Sequence, residues 1–287
     1  MPDYRVIETG GRRCRLGEGP YWSVRQQALY WVDILGQTVF RLRPTDGSVV
    51  TWQMPEMIGW LIERANSDGF VAGTQRDFVY LGLEPMTITP IARPEPDLPG
   101  NRLNDAKADA QGCIWAGTLP LSADGNTGSL YRLSPDGRVT CRDRGYLVTN
   151  GPAMSPDGRY LYHNDSGRGY VYRFEFDSDG ALRNRRVLLR FGPDEGKPDG
   201  MTVDSEGALW IALWGAARVS RYTADGHLDR SVKLPASQIT SCTFGGPALD
   251  RMFVTSAAEG VNGEAMAGAL FEIDPQVTGV APNLFAG

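Results

Sequence analysis

Among the positions of this 287-residue chain where an oxygen-donor side chain is followed directly by glycine, three stand out for metal chemistry: Glu18 in Gly17-Glu-Gly-Pro20, Asn150 in Asn150-Gly-Pro152, and Asp199 in Asp199-Gly-Met201. Carboxylate and amide oxygens are hard ligands suited to a divalent cation, and three of them leave coordination positions open for water and a substrate. Calcium, magnesium or manganese fits such a set, and an open three-ligand site also admits iron(II) or zinc. The glycines let the backbone turn sharply and approach a neighbour closely. Each residue alone would serve equally as a loop residue capping a strand end, so the metal reading needs a fold that gathers three distant positions.

Other common chemistries lack their residues. With only His163 and His227, a histidine-rich zinc site is excluded. His163 reads as a satisfied core residue in a strand, and His227 as part of a surface turn. No G-x-S-x-G elbow and no glycine-rich phosphate loop occurs. Cys14, Cys113, Cys141 and Cys242 are widely separated, show no C-x-x-C spacing and are expected as buried free thiols.

The elements that must position the three residues follow from a repeat. Short apolar segments of related pattern begin at Ala28, Gly69, Cys113, Tyr160, Ala208 and Arg251. Their aligned apolar residues Leu29, Phe70, Ile114, Leu161, Leu209 and Met252 are separated by steps of 41, 44, 47, 48 and 43, the spacing of propeller blades. A second apolar stretch follows each segment, as in Val39-Phe-Arg-Leu42 and Leu130-Tyr-Arg-Leu133, with the alternation of a strand. Asp-Gly or Glu-Gly turns punctuate the chain, among them Thr45-Asp-Gly47, Ser178-Asp-Gly180 and Ser205-Glu-Gly207. Two hairpins per repeat, six times over, predict an all-β, six-bladed β-propeller of four-stranded antiparallel blades. No linker interrupts the pattern, so a single domain over 1–287 is expected. Closure is expected from the segment Tyr4 to Thr9 as a strand in the last blade, beside a strand near Val280 to Leu284.

About ten residues before each aligned apolar position stand Glu18, Trp60, Asn104, Asn150, Asp199 and Ser241. Equivalent positions in a closed radial repeat lie on one ring about the axis, so blade-start loops would bring Glu18, Asn150 and Asp199 together as an oxygen-rich metal site.

At this point the chain resembles the regucalcin, gluconolactonase and luciferin-regenerating family of six-bladed propellers. Four segments carry the resemblance: Leu16-Gly-Glu-Gly-Pro-Tyr-Trp22, Asn101-Arg-Leu-Asn-Asp-Ala-Lys-Ala-Asp109 running into Gly112-Cys-Ile-Trp-Ala-Gly-Thr118, Thr149-Asn-Gly-Pro-Ala-Met-Ser-Pro-Asp-Gly158, and Pro198-Asp-Gly-Met-Thr-Val-Asp-Ser-Glu-Gly207. It implies hydrolysis of sugar lactones to aldonic acids, with the family's metal ligands falling on Glu18, Asn150 and Asp199. It places the family's substrate contacts on Arg102 and Asn104. Asp199 would act as ligand and general base together. Some relatives carry a glutamate soon after the Gly-Thr of blade three, where this chain has Leu119-Pro-Leu121. Asn150-Gly-Pro152 and Phe244-Gly-Gly-Pro247 look more like the bacterial pentonolactonase branch.

Net charge of −5 and a pI near 5.2, with both signs mixed along the chain, offer no footprint for nucleic acid. The start Met1-Pro-Asp-Tyr-Arg lacks a signal region, and the longest apolar run, Ala208 to Ala217, is too short to cross a bilayer. A cytoplasmic protein with a small-molecule sugar lactone as partner, monomeric or weakly self-associating, is therefore expected. A non-catalytic calcium-binding or interaction propeller, or a related esterase on the same fold, remains the alternative.

Overall fold

The computed structural model describes residues 4–122, 125–177 and 179–287. Met1 to Asp3 and the first residue of the Ser178-Asp-Gly180 turn lie outside the described residues. The described strands form six separate four-stranded antiparallel sheets, the six-bladed propeller that the repeat predicts. In blade 1, Gly17–Ser23, Ala28–Asp33, Thr38–Arg43 and Ser48–Gln53 pair in chain order. Gly17–Ser23 is buried at every position, whereas the last strand is exposed or half-buried throughout. The sequence therefore turns from apolar to polar as each blade runs outward. Blades 2 to 5 repeat the order from the innermost strands Ile58–Glu63, Asn101–Ala108, Thr149–Met154 and Lys197–Val203.

Blade 6 starts at Ile239–Gly245, continues through Arg251–Ser256 and Leu270–Ile273, and takes its outermost strand, Tyr4–Ile7, from the other end of the chain. Tyr4 pairs with Ile273 and Ile7 with Leu270. The expected neighbour at 280–284 is not a strand. After Leu270–Ile273 that segment leaves the sheet and crosses the propeller instead. Gly279 bridges to Asp204 in blade 5, Asn283 Nδ2 donates to Ala108 O in blade 3, and buried Phe285 bridges to Arg64 at the end of blade 2's innermost strand.

The turns follow their chemistry. The glycines of seven Asp-Gly and Glu-Gly turns, Gly47, Gly69, Gly137, Gly158, Gly180, Gly207 and Gly226, have φ between +70° and +90°. A side chain would be strained there.

Two blades share a lock between the innermost strand and the next. In Asp109-Ala-Gln-Gly-Cys-Ile-Trp115, Asp109 Oδ1 accepts from the N–H groups of Gln111 and Cys113 while Oδ2 accepts from Trp115 Nε1 at 2.8 Å. Asp204-Ser-Glu-Gly-Ala-Leu-Trp210 repeats it, with Trp210 Nε1 2.9 Å from Asp204 Oδ2. Arg221 Nε adds a buried ion pair to Asp204 at 2.8 Å. Cys14, Cys113 and Cys242 are buried free thiols as expected, but Cys141 is only half-buried. Among the described residues no helix is long and apolar enough to cross a membrane.

Removing Asp204 would leave two main-chain N–H groups, the Trp210 indole N–H and Arg221 Nε without their buried acceptor, although Glu206 and Asp229 still pair with Arg221. Asp204→Ala is expected to cost about 3 kcal/mol of unfolding free energy. Glu206, 67% exposed, pairs with the same Arg221 from the surface, so Glu206→Ala should cost less, about 1 kcal/mol or below. Urea midpoints at unchanged slope measure both.

Candidate functional site

Each innermost strand loses pairing register at the same place. The shift lies between Glu18 and Tyr21, Ile58 and Trp60, Leu103 and Ala106, Asn150 and Ala153, Pro198 and Met201, and Ile239 and Ser241. A bulge frees a residue from the ladder and re-aims its side chain. The candidate ligands thus sit at breaks within strands, not in the blade-start loops expected from the sequence. The strands also crowd together at this level. Gly19 has φ of +53°, and a Cβ there would lie 2.8 Å from Gly59 O, while one on Gly200 would lie 2.1 Å from Ser241 Oγ. Glycine behind Glu18 and Asp199 is therefore a packing requirement.

Glu18, Asn150, Asp199, Arg102 and Asn104 all line one cavity of about 280 Å³. It opens at the end of the channel where the innermost strands begin. Two ring positions behave otherwise. Trp60 lines a second chamber of about 70 Å³ farther along the axis, with Lys107, Val280, Pro282 and Asn283. Ser241 is buried against Gly200 and is absent from both linings. The bulge sets back one residue or the next in different blades, so equivalent positions do not share one height.

A chain of hydrogen bonds ties the polar wall together. Arg102 Nη1 donates to Asn104 Oδ1 at 2.6 Å, Asn104 Nδ2 donates to Asn150 Oδ1 at 2.6 Å, and Asn150 Nδ2 donates to Ser166 Oγ at 2.9 Å. Ser166 Oγ in turn donates to Pro198 O, directly before Asp199. Asn164 Nδ2 donates to the carbonyl of Asp199 itself. Three blades are thereby linked at the site.

Its electrostatics are dominated by carboxylates removed from water. Glu18 and Asp199 are 5% and 6% exposed, and Asp105 is 2% exposed. Desolvation, then the charge of Asp105, pushes the Glu18 carboxyl up to about 8, against the pull of the Gly19 N–H. Asp199 is raised well above the usual carboxylate range by desolvation and then by Glu18 and Asp105. Desolvation raises Asp105 to about 6, moderated first by Lys107. Burial lowers the half-buried Arg102 to about 10, and Glu18 and Asp199 hold it from falling further.

Asp199 Oδ1 and Asp105 Oδ2 are buried without a hydrogen-bond partner in the structure. Orphaned acceptors in a crowd of buried acids are the complement of a bound cation. The donors fit a hard divalent ion: two carboxylates and the second lone pair of Asn150 Oδ1. Among the described residues no group of three or more His, Cys, Asp or Glu stands close enough to hold a metal, so any such site must include the amide.

His163 is fully buried with its ring edge-on to Tyr146 at 4.7 Å. Neither ring nitrogen has a partner, so it is a core residue but not a satisfied one. Burial, then Arg185, lowers it to about 3, which leaves it neutral. His227 is exposed in its turn beside Asp225. Sequence reasoning missed Ser166, Lys197 and Trp214, which also line the cavity. Lys197 carries a usable signal: it stands two residues before Asp199, on the same innermost strand and directly ahead of the break.

The family model described as SMP-30/Gluconolactonase/LRE-like region matches residues 16–258. A 6-deoxy-6-sulfogluconolactonase of Pseudomonas putida is 36% identical over 278 residues, covering 95% of each chain. The solved luciferin-regenerating enzyme superposes with a TM-score of 0.93 at 31% identity, covering 99% of this chain and 100% of that one. A calcium-binding protein, regucalcin, of Agrobacterium tumefaciens gives 0.92 at 29% identity, covering 99% and 97%.

The raised carboxyl groups set a pH dependence. Between the ordinary Glu value of 4.5 and about 8, folded Glu18 keeps a proton that the unfolded chain has lost. Stability must then fall as pH rises through that window. In chelator, the melting temperature is expected to drop by ~5 °C or more from pH 5 to pH 8.5, with the slope reduced in Glu18→Gln. A flat wild-type curve would contradict this.

Proposed function

Because the chain belongs to the SMP-30/gluconolactonase/LRE-like family, we propose that it hydrolyses sugar lactones to aldonic acids in this cavity, using one divalent cation held by Glu18, Asn150 and Asp199. The observation that carries the reading is the meeting of these three residues with Arg102 and Asn104 in one cavity, where Asp199 Oδ1 has no partner. Calcium is the first candidate, given hard oxygen donors and a calcium-binding relative. When bound, such an ion supplies Lewis-acid polarisation of a carbonyl and a lowered pKa for nearby water.

The chain's own residues account for the rest. Arg102 spends Nη1 on Leu103 O and Asn104 Oδ1, which leaves its other donors for hydroxyl or ring oxygens. Asn104 gives Nδ2 to Thr149 O and Asn150 Oδ1, so it fixes Asn150 as much as it offers an acceptor to substrate. The Asp199 carboxylate, ionised once a cation's charge offsets Glu18 and Asp105, would be the proton acceptor for the attacking water. The water oxygen bonds to the acyl carbon, the ring carbon–oxygen bond breaks, and the proton passes from Asp199 to the departing alkoxide. Leu119, paired with Arg102 across the strands, makes the adjoining wall apolar.

Acid release from gluconolactone and pentonolactones above the spontaneous rate, followed by pH-stat, tests the reading. Asp199→Ala should lower kcat by ~100-fold or more, and Arg102→Met should act chiefly on KM, by ~10-fold. Thorough chelation should abolish turnover and added calcium or manganese restore it. Full activity in chelator, or in Asp199→Ala, would overturn the mechanism. Cation binding without hydrolysis of any lactone or aryl ester would favour the non-catalytic alternative.

A further inference from the structure

The cavity is graded in depth: Glu18, Asn104, Asn150 and Asp199 are buried, whereas Val148 and Trp214, from the same blades as Asn150 and Asp199, are half-buried and Lys197 is exposed. Two cations, Arg102 and Lys197, line the same space. Neither has a carboxylate within ion-pair distance among the described residues: Arg102 donates only to Leu103 O and Asn104 Oδ1, and Lys197 makes no side-chain hydrogen bond or ion pair.

Lys197 is also fixed in place by its strand. It pairs directly with Trp214, two positions before Asp199 and ahead of the bulge, and both residues line the cavity. Such a pair offers a flat face for the C–H side of a sugar and, next to it, a positive charge. Lys197 is exposed to the cavity, so its charge is available without first being stripped from a partner. The buried acids Glu18 and Asp199, deeper in the cavity than exposed Lys197, repel an anion. A substrate with a negative group is therefore accepted in one orientation only, with that group away from the acids and its reacting carbonyl towards them.

We propose that the preferred substrates are sugar lactones bearing a second, anionic group, sulfonate, phosphate or carboxylate, at the end remote from the lactone carbonyl, and that Lys197 beside Trp214 determines this specificity. The inference rests on the lactonase reading and deepens it.

The test compares matched lactones on the full-length protein loaded with calcium or manganese: gluconolactone, its 6-sulfo and 6-phospho forms, and the 6-carboxylate lactone of glucaric acid. In wild type, kcat/KM for at least one anionic member should exceed that of the neutral parent by ~10-fold or more, and the ratio should shrink as salt rises. The three arms tell a tetrahedral anion from a carboxylate. Lys197→Met should reduce the anionic-to-neutral ratio by ~10-fold, and Lys197→Arg should restore most of it. A wild-type preference for the neutral lactone, or an unchanged ratio in Lys197→Met, overturns the proposal. Calorimetry with the open-chain 6-sulfo and 6-phospho aldonates separates the two readings. Equal affinity in wild type and Lys197→Met overturns the role of Lys197 whatever the turnover, whereas absence of turnover on every lactone by calcium- or manganese-loaded protein overturns the lactonase reading and the proposal with it.

Discussion

The interruption of pairing in every innermost strand is the constraint on which the rest of the molecule depends. A regular ladder would alternate side chains between the faces of each blade, where the neighbouring blade buries them. The break at Glu18, Asn104, Asn150 and Asp199 turns those residues towards the axis instead. It is tolerated because closely packed glycines let adjacent strands meet at that level, and because side chains replace the ladder bonds. Asn104, Asn150, Asn164 and Ser166 supply those bonds across blade boundaries.

That arrangement concentrates charge. Glu18, Asp105 and Asp199 are held out of water close to one another, with the charges of Arg102 and Lys107 acting on them. A fold that gained only stability from these positions would fill them with hydrophobic residues, since buried acids facing one another oppose folding. The outer parts of the blades show the contrasting use of charge. Asp204 satisfies two main-chain N–H groups, an indole and a guanidinium at once, and its two oxygens are fully employed.

Much of this was legible in the sequence because the repeat is carried by residues that the fold uses in the same way each time. The alternating apolar segments and the Asp-Gly turns predict the blades, and four of the six equivalent positions, Glu18, Asn104, Asn150 and Asp199, do reach one cavity. Trp60 and Ser241 do not, because the position of a bulge relative to the axis depends on how two neighbouring strands pack, which no single strand records. The partner of the N-terminal strand was misplaced for a related reason. Leu270–Ile273 and the segment near 280 are both apolar, and only tertiary pairing distinguishes an edge that bonds from a chain that leaves the sheet. His163 was recognised as core, but its unpartnered nitrogens are a property of its neighbours. Lys197 and Trp214 belong to different strands, so their adjacency required the register.

The last residues of the chain have a consequence for traffic. Between Gly279 and Phe285 the backbone passes from blade 5 to blade 2, and Val280, Pro282 and Asn283 wall the inner chamber on the side away from the cavity. The propeller is thus a cup with a floor, not a pipe. A molecule that enters the cavity leaves by the doorway it came through, so whatever is released occupies the approach path of whatever arrives next. In a vessel of that shape, clearance of one occupant and admission of another are successive events.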